Sequence, residues 1–171
     1  MTSIANDDNN SNDNQKIFES NIDISKLTIG EMIGQGNFAS VHKGTYGDDK
    51  ELVAVKKQSL EDPELLKYVH SEIDILKSIK HPNVLQYIGI CFLPKENSLY
   101  IVTEYLNGGD LRDFIIKEST KVTDGVGNID WRLRTKIVMD IGNAIYYLHS
   151  HNLMHRDIKT DNVILSSDQR F

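Results

Sequence analysis

At 171 residues, with 39% hydrophobic and 26% charged side chains, the chain has the composition of one soluble globular domain able to bury a core, which excludes disorder throughout. A formal net charge of -6 leaves no overall basic field for a phosphate backbone and excludes nucleic acid as a general partner. The single cysteine, Cys91, excludes an internal disulfide and a cysteine-cluster metal site.

Cys91 reads as a small core residue in a reducing compartment. No basic region followed by an apolar run opens the chain, and no stretch approaches the roughly 20 apolar residues that cross a bilayer. The expected location is therefore cytoplasmic, without a membrane partner. Residues 1–20 are dominated by Asn, Asp and Ser, too polar to offset the entropy of ordering, and are expected to form a disordered tail. Short β-rich runs follow at 27–33, 40–46 and 52–57, separated by Gly-rich or Asp-rich turns, and read as an antiparallel meander.

Asp62-Pro63-Glu64 opens a helix, with Asp62 suited to capping free amides and Pro63 to the first helical position. Leu66, Val69, Ile73, Leu76 and Ile79 recur on one face of it, and His81-Pro82 ends it. Runs 84–92 and 98–104 give two more strands. After Asn107-Gly108-Gly109 the period changes: Asp110 caps a short helix carrying Leu111, Phe114 and Ile115. A polar loop at 120–128 precedes a longer helix, capped by Asp130, whose Leu133, Ile137, Ile141, Ala144, Ile145 and Leu148 form a broad apolar stripe. The order is strand-rich first and helical second, an α+β arrangement with its boundary near 107–110.

Three stretches suggest chemistry. In Gly34-Gln35-Gly36-Asn37-Phe38-Ala39-Ser40-Val41, glycines without a Cβ let backbone amides approach a polyphosphate, although a tight hairpin turn explains the same residues. A dinucleotide-binding loop would open a helix, whereas Val41-His42-Lys43-Gly44-Thr45-Tyr46 reads as a strand. Val53-Ala54-Val55-Lys56 places a small residue two positions before a cation, which alone is also a strand ending in solvated lysines. His155-Arg156-Asp157-Ile158-Lys159-Thr160-Asp161-Asn162 sets four chemically distinct groups at fixed spacing after a helix ending in Tyr147-Leu148-His149. A metal site on His149, His151 and His155 is the competing reading there, but no carboxylate completes a recognised spacing.

Together these motifs resemble the eukaryotic protein kinase family, from Leu27 to the last residue. The resemblance implies a protein-kinase-like fold, with a five-stranded antiparallel N-lobe carrying one helix and the first part of a helical C-lobe. It implies ATP and Mg²⁺ as cofactors and a protein as substrate. Ile33, Gly34, Gly36 and Val41 would cover the nucleotide, Ala54 would flank the adenine ring, and Ile164 would form the floor beneath it. Lys56 would meet the α and β phosphates, fixed by Glu72, which could otherwise be an ordinary exposed helical glutamate. In Ile101-Val102-Thr103-Glu104-Tyr105-Leu106, which is similar to the hinge between kinase lobes, Glu104 and Leu106 would hold adenine and Thr103 would gate the rear pocket.

Within the catalytic loop, the resemblance makes Asp157 the acceptor of the attacking hydroxyl's proton, Lys159 the cation for charge developing on the γ-phosphate, and Asn162 a magnesium ligand. Arg156 would be structural or regulatory, and His155 a core histidine beneath the loop. One departure stands out: the family's third glycine is Ala39 here. Lys159 is the residue typical of kinases acting on serine or threonine, while the hinge and the lead-in Ile22-Asp23-Ile24-Ser25-Lys26-Leu27 look like the tyrosine-kinase-like group.

The implied layout is an N-lobe and hinge over 27–106 and a partial C-lobe over 107–171. The family's Asp-Phe-Gly follows the loop asparagine by about 13 residues, at about position 175, so the sequence reads as C-terminally truncated. Asp168-Gln169-Arg170-Phe171 is a polar turn and not that motif. The expectation is an incomplete catalytic domain, inactive alone, with the stripe of the 130–150 helix bare. The alternative is a non-catalytic ATP-binding regulatory or scaffold protein, against which intact Lys56, Glu72, Asp157, Lys159 and Asn162 count, because pure binding needs no base.

Overall fold

The computed structural model describes residues 20–36, 39–60, 63–120 and 129–166, with the backbone alone for 63–68. The expected tail up to residue 19, Asn37 and Phe38 of the glycine turn, the Asp62 cap, the side chain of Leu66, the loop 121–128 and Asp168-Gln169-Arg170-Phe171 lie outside what is described. The chain forms two compact units, one made of residues up to Ile79 with Gln86–Tyr105, the other of Lys80–Leu85 with residues from Leu106 onward.

The first unit is built on β1 (Leu27–Gln35), β2 (Ala39–Tyr46), β3 (Glu51–Ser59), β4 (Tyr87–Leu93) and β5 (Ser98–Glu104), all antiparallel, in the order β1-β2-β3-β5-β4. The first three strands make the expected meander. Both faces of β5 are buried, Leu99 and Ile101 entering one core and Tyr100 and Val102 the other, which is why its apolar run is continuous and not alternating. β4 starts at Tyr87, later than the run at 84 suggested, because Val84 instead closes a turn on the carbonyl of His81.

Alternation along these strands makes two cores. Leu99 and Ile101 join Leu60, Ile90 and Phe92 beneath Val69 and Ile73 of α1 (Pro63–Ser78), while Tyr100 and Val102 join Val53, Val55, Cys91, Leu27 and Ile22. Cys91 is thus the small core residue expected of it, its thiol pushed up in pKa chiefly by burial. The outer edge of β4 is covered by residues the sequence assigned to the tail and its border. Ser20 Oγ accepts the amide of Phe92 at 2.9 Å, Asn21 Oδ1 accepts that of Ile90 at 2.7 Å, and Ile22 is buried. Gly89 permits this approach, since a Cβ there would come within 2.6 Å of Asn21 Oδ1 and 2.7 Å of the Ile22 side chain.

The second unit holds α2 (Leu111–Thr120) and α3 (Trp131–Ser150). Asp110 Oδ1 accepts the amide of Asp113 at 2.8 Å and Asp130 Oδ1 that of Arg132 at 3.3 Å, so both expected caps form. Leu111, Ile137 and Leu165 make the core, flanked by Phe114, Leu133, Ile141 and Val163. The α3 stripe is therefore not bare as expected: Ile137 and Leu148 are buried, and Leu133, Ile141, Ala144 and Ile145 are half-buried. Side chains from α2 and from the chain after the catalytic loop cover it. The exposed apolar groups of α3 are instead Trp131, Val138, Met139 and Tyr146, and Ile115 of α2 is exposed as well.

The segment Lys80–Leu85 is fastened to α3. Tyr147 Oη accepts the amide of Lys80 at 3.1 Å, and the Tyr147 ring lies between those of His81, at 4.8 Å, and His151, at 4.4 Å. Among the described residues no helix is long and apolar enough to cross a membrane.

Candidate active site

On the first unit, the pairing of β3 with both neighbours brings several expected residues together. Val41 stands opposite Gly34 and Lys56, Ala54 opposite Thr103, and Lys56 opposite Ile101. With a period of two, Val41, Ala54, Lys56 and Thr103 share one face of the sheet, the face that also meets α1. Glu72, one residue before buried Ile73, projects from α1 to place Oε1 at 2.6 Å from Lys56 Nζ. The pair is about one-third exposed, with side chains at 34% and 40%, so its value lies in fixing the ammonium more than in stability.

The glycine hairpin closes on a backbone bond from the Gly36 amide to the Ala39 carbonyl at 2.8 Å. Neither Gly34 nor Gly36 has a positive φ, and Ala39, at the third glycine position, begins β2. Ile33 is exposed on β1. Thr103 is buried, and Glu104 closes the hinge end of β5: its amide donates to the Gln86 carbonyl and its Oε1 accepts the Gln86 amide at 2.8 Å. Lys43, on the same face as Val41, holds its ammonium 4.9 Å from the centre of the Tyr105 ring, a contact with no sequence signature.

On the second unit, Leu106 is half-buried, and Ile164 pairs with Asp110 in an isolated antiparallel bridge. Backbone bonds on either side strengthen that junction: Gly108 donates to Leu165 at 2.9 Å, Leu165 to Gly109 at 2.8 Å, and Leu111 to Val163 at 2.8 Å. Gly108 is required here, because a Cβ would fall 2.5 Å from the Leu165 carbonyl oxygen.

The catalytic loop hangs between this junction and α3. Asp157 Oδ2 accepts from Lys159 Nζ at 2.9 Å and from Asn162 Nδ2 at 2.9 Å, and the same Nδ2 also reaches the Asp157 carbonyl at 2.8 Å. Lys159 first, then Asn162, hold the Asp157 carboxyl below its usual range, so it is an ionised acceptor at neutral pH. With the Asn162 NH₂ engaged, its carbonyl Oδ1 is the hard oxygen donor that suits Mg²⁺. Asn162 itself ends a 3₁₀ turn, Thr160–Asn162.

His155 departs from expectation. It is exposed and not in the core, because its Nδ1 faces the loop and accepts the Asp157 amide at 3.3 Å. Arg156 adopts φ of 63°, a left-handed conformation costly for a residue with a Cβ, and so turns the chain sharply just before Asp157. His151 Nδ1 donates to the Tyr147 carbonyl, 2.9 Å away. Among the described residues no cluster of three His, Cys, Asp or Glu stands ready for a metal.

Residues 27–171 match the family model for protein tyrosine and serine/threonine kinases. A probable serine/threonine-protein kinase of Dictyostelium discoideum is 43% identical over 150 residues, which cover 85% of this chain and 26% of that protein. From the same organism, RasGEF domain-containing serine/threonine-protein kinase X is 39% identical, covering 87% of this chain and 14% of that protein, and probable serine/threonine-protein kinase kinY is 33% identical, covering 84% and 26%. The chain thus spans about a quarter or less of the length of these relatives. It belongs to the protein kinase family, with the five-stranded lobe and the start of the helical lobe.

Proposed function

We propose that the chain carries the nucleotide-binding and catalytic-loop portion of an ATP-dependent protein kinase that phosphorylates serine and threonine hydroxyls. The observation that carries this is the Asp157 carboxylate fixed by both Lys159 and Asn162, an arrangement a binding module does not need. Asp157 takes the hydroxyl proton, and Lys159 is positioned to leave it for the γ-phosphoryl oxygens as charge develops there. Asn162 Oδ1 would hold a magnesium ion, which supplies charge neutralisation at the phosphates. Lys56, steadied by Glu72, binds phosphate oxygens, and the amides around Gly34 and Gly36 close over them.

In this reading Ile33, Val41 and Ala54 of the first unit contact the base, the backbone at Glu104 hydrogen-bonds it and Thr103 limits the depth of its pocket, while Leu106 and Ile164 of the second unit are the nucleotide contacts that the family resemblance implies. Grouping with tyrosine-kinase-like enzymes, a cytoplasmic location, and silence of these 171 residues when expressed alone belong to the same reading. The names of the relatives support serine/threonine specificity, as does Lys159.

The test is phosphoryl transfer by the full-length protein to paired peptides that differ only in Ser, Thr or Tyr at the acceptor. Transfer to Ser and Thr, with Tyr at least about tenfold slower in kcat/KM, a transition-state difference of about 1.4 kcal/mol, is expected. Nucleotide binding without transfer to any of the three would instead establish the non-catalytic alternative.

A further inference from the structure

The loop residues that the proposed function uses are exposed, and the loop has few anchors of its own. Asp157 and Lys159 hold side chains 63% and 51% exposed, and the only regular structure between α3 and Val163 is the three-residue turn Thr160–Asn162. That turn rests on two amides, Asn162 to the Lys159 carbonyl at 3.0 Å and Val163 to the Thr160 carbonyl at 3.3 Å. Asp161, inside the turn and next to Asn162, reaches across to α2, where its Oδ1 meets Arg112 Nη1 at 2.9 Å. Asp161 Oδ2 also accepts from Thr160 Oγ1 at 3.4 Å, so both carboxylate oxygens are engaged at the turn.

Arg112 has nearer acidic neighbours in sequence, Asp110 and Asp113, on the same first turn of α2. Asp110 is occupied in capping the Asp113 amide, and the guanidinium is directed instead to a residue 49 positions away. The start of α2 is itself bolted to the chain after the loop by the Leu111 to Val163 bond and the isolated Asp110 to Ile164 bridge. Arg112 therefore stands at a helix start tied by backbone bonds and reaches an exposed three-residue turn.

We propose that Arg112 is a positioning residue for phosphoryl transfer: its ion pair with Asp161 holds the turn from which Asn162 grips Asp157. This rests on the roles given above to Asp157 and Asn162. An exposed pair of this kind adds little to overall stability, so its effect falls on local geometry. A shift of the turn moves Asn162 Nδ2 off both Asp157 oxygens and displaces Oδ1 at the same time. Small misplacements of catalytic groups cost up to roughly 100-fold in rate.

The test compares Arg112→Ala, Arg112→Lys and the charge swap Arg112→Asp with Asp161→Arg, all in the full-length protein. Steady-state kinetics at varied Mg²⁺ are measured beside hydrogen exchange at the Asn162 and Val163 amides. Arg112→Ala is expected to lower kcat about tenfold, to raise the Mg²⁺ concentration for half-maximal rate, and to leave KM for ATP within about twofold. Exchange at the two amides should accelerate while the melting temperature stays unchanged. Arg112→Lys should fall between the alanine variant and the parent, and the charge swap should recover most of the loss. Unchanged kcat, Mg²⁺ dependence and exchange in an active parent would overturn the proposal, as would a charge swap no better than Arg112→Ala. Should the parent transfer no phosphoryl group, the proposed function fails, and the exchange measurement still decides whether Arg112 holds the turn.

Discussion

Lys56 lies on a strand hydrogen-bonded on both sides, above a core that includes Leu99, Ile101 and Ile73, whereas Asp157 lies on an exposed loop steadied by a left-handed Arg156 and a single 3₁₀ turn. Each region fixes a charged group by a short contact, 2.6 Å to Glu72 in one and 2.9 Å to Lys159 and Asn162 in the other. In the first, burial places the strand that carries Lys56, and the ion pair fixes the ammonium on a scaffold that would exist without it. In the second, placement follows from polar contacts themselves, so stability and function should separate there.

The largest effect expected on the stability side comes from the sheet. Leu99 is fully buried on β5, and Leu99→Ala removes its contacts and leaves a cavity beneath α1, costing about 2–5 kcal/mol. Urea denaturation should show the whole first unit shifting its midpoint, and a shift no greater than that of a surface substitution would mean that the sheet is not what holds Lys56 in place.

A smaller effect sharpens the same contrast at a second ion pair, one the mechanism does not use. Lys57 Nζ and Tyr100 Oη both reach Glu96 Oε2 at 2.9 Å. Lys57 first, then Tyr100, hold the Glu96 carboxyl below its ordinary value of 4.5. A depressed carboxylate contributes stability that is complete above its ordinary value and is lost as the pH falls through the depressed one. Glu96→Gln should therefore lower the urea midpoint slightly at neutral pH and leave it equal to that of the parent in strong acid, with little change in catalysis. Equal midpoints at neutral pH would show that this exposed network carries no stability.

The five strands and three helices were legible because each is a run with one clear period, and the continuous apolar run of β5 marked the buried position it takes. Lys56, Glu72, Asp157, Lys159 and Asn162 were legible because their spacing is local or resembles a known pattern. Three kinds of feature were not. Covering of the β4 edge by Ser20, Asn21 and Ile22 depends on residues about 70 apart meeting, and a polar stretch gives no hint of it. The Arg112 to Asp161 pair joins two ordinary surface residues with no spacing rule between them. His155 reads from the sequence as a core histidine beneath the loop, whereas its exposed ring supports the loop's own backbone. The α3 stripe is expected bare because the resemblance places the helices that pack on it after the activation segment, whereas Leu111, Phe114, Val163 and Leu165, from two short segments, cover it.

On the proposed function, Asp157 is the catalytic base of a loop whose chemistry is separable from nucleotide binding and from the fold. The measurement that tests it most directly is Asp157→Asn in the full-length protein, with turnover, ATP affinity and melting temperature read on the same preparation. Loss of a positioned base predicts turnover down about 10²- to 10⁴-fold, with ATP affinity and melting temperature close to those of the parent. Turnover equal to that of the parent would contradict the account.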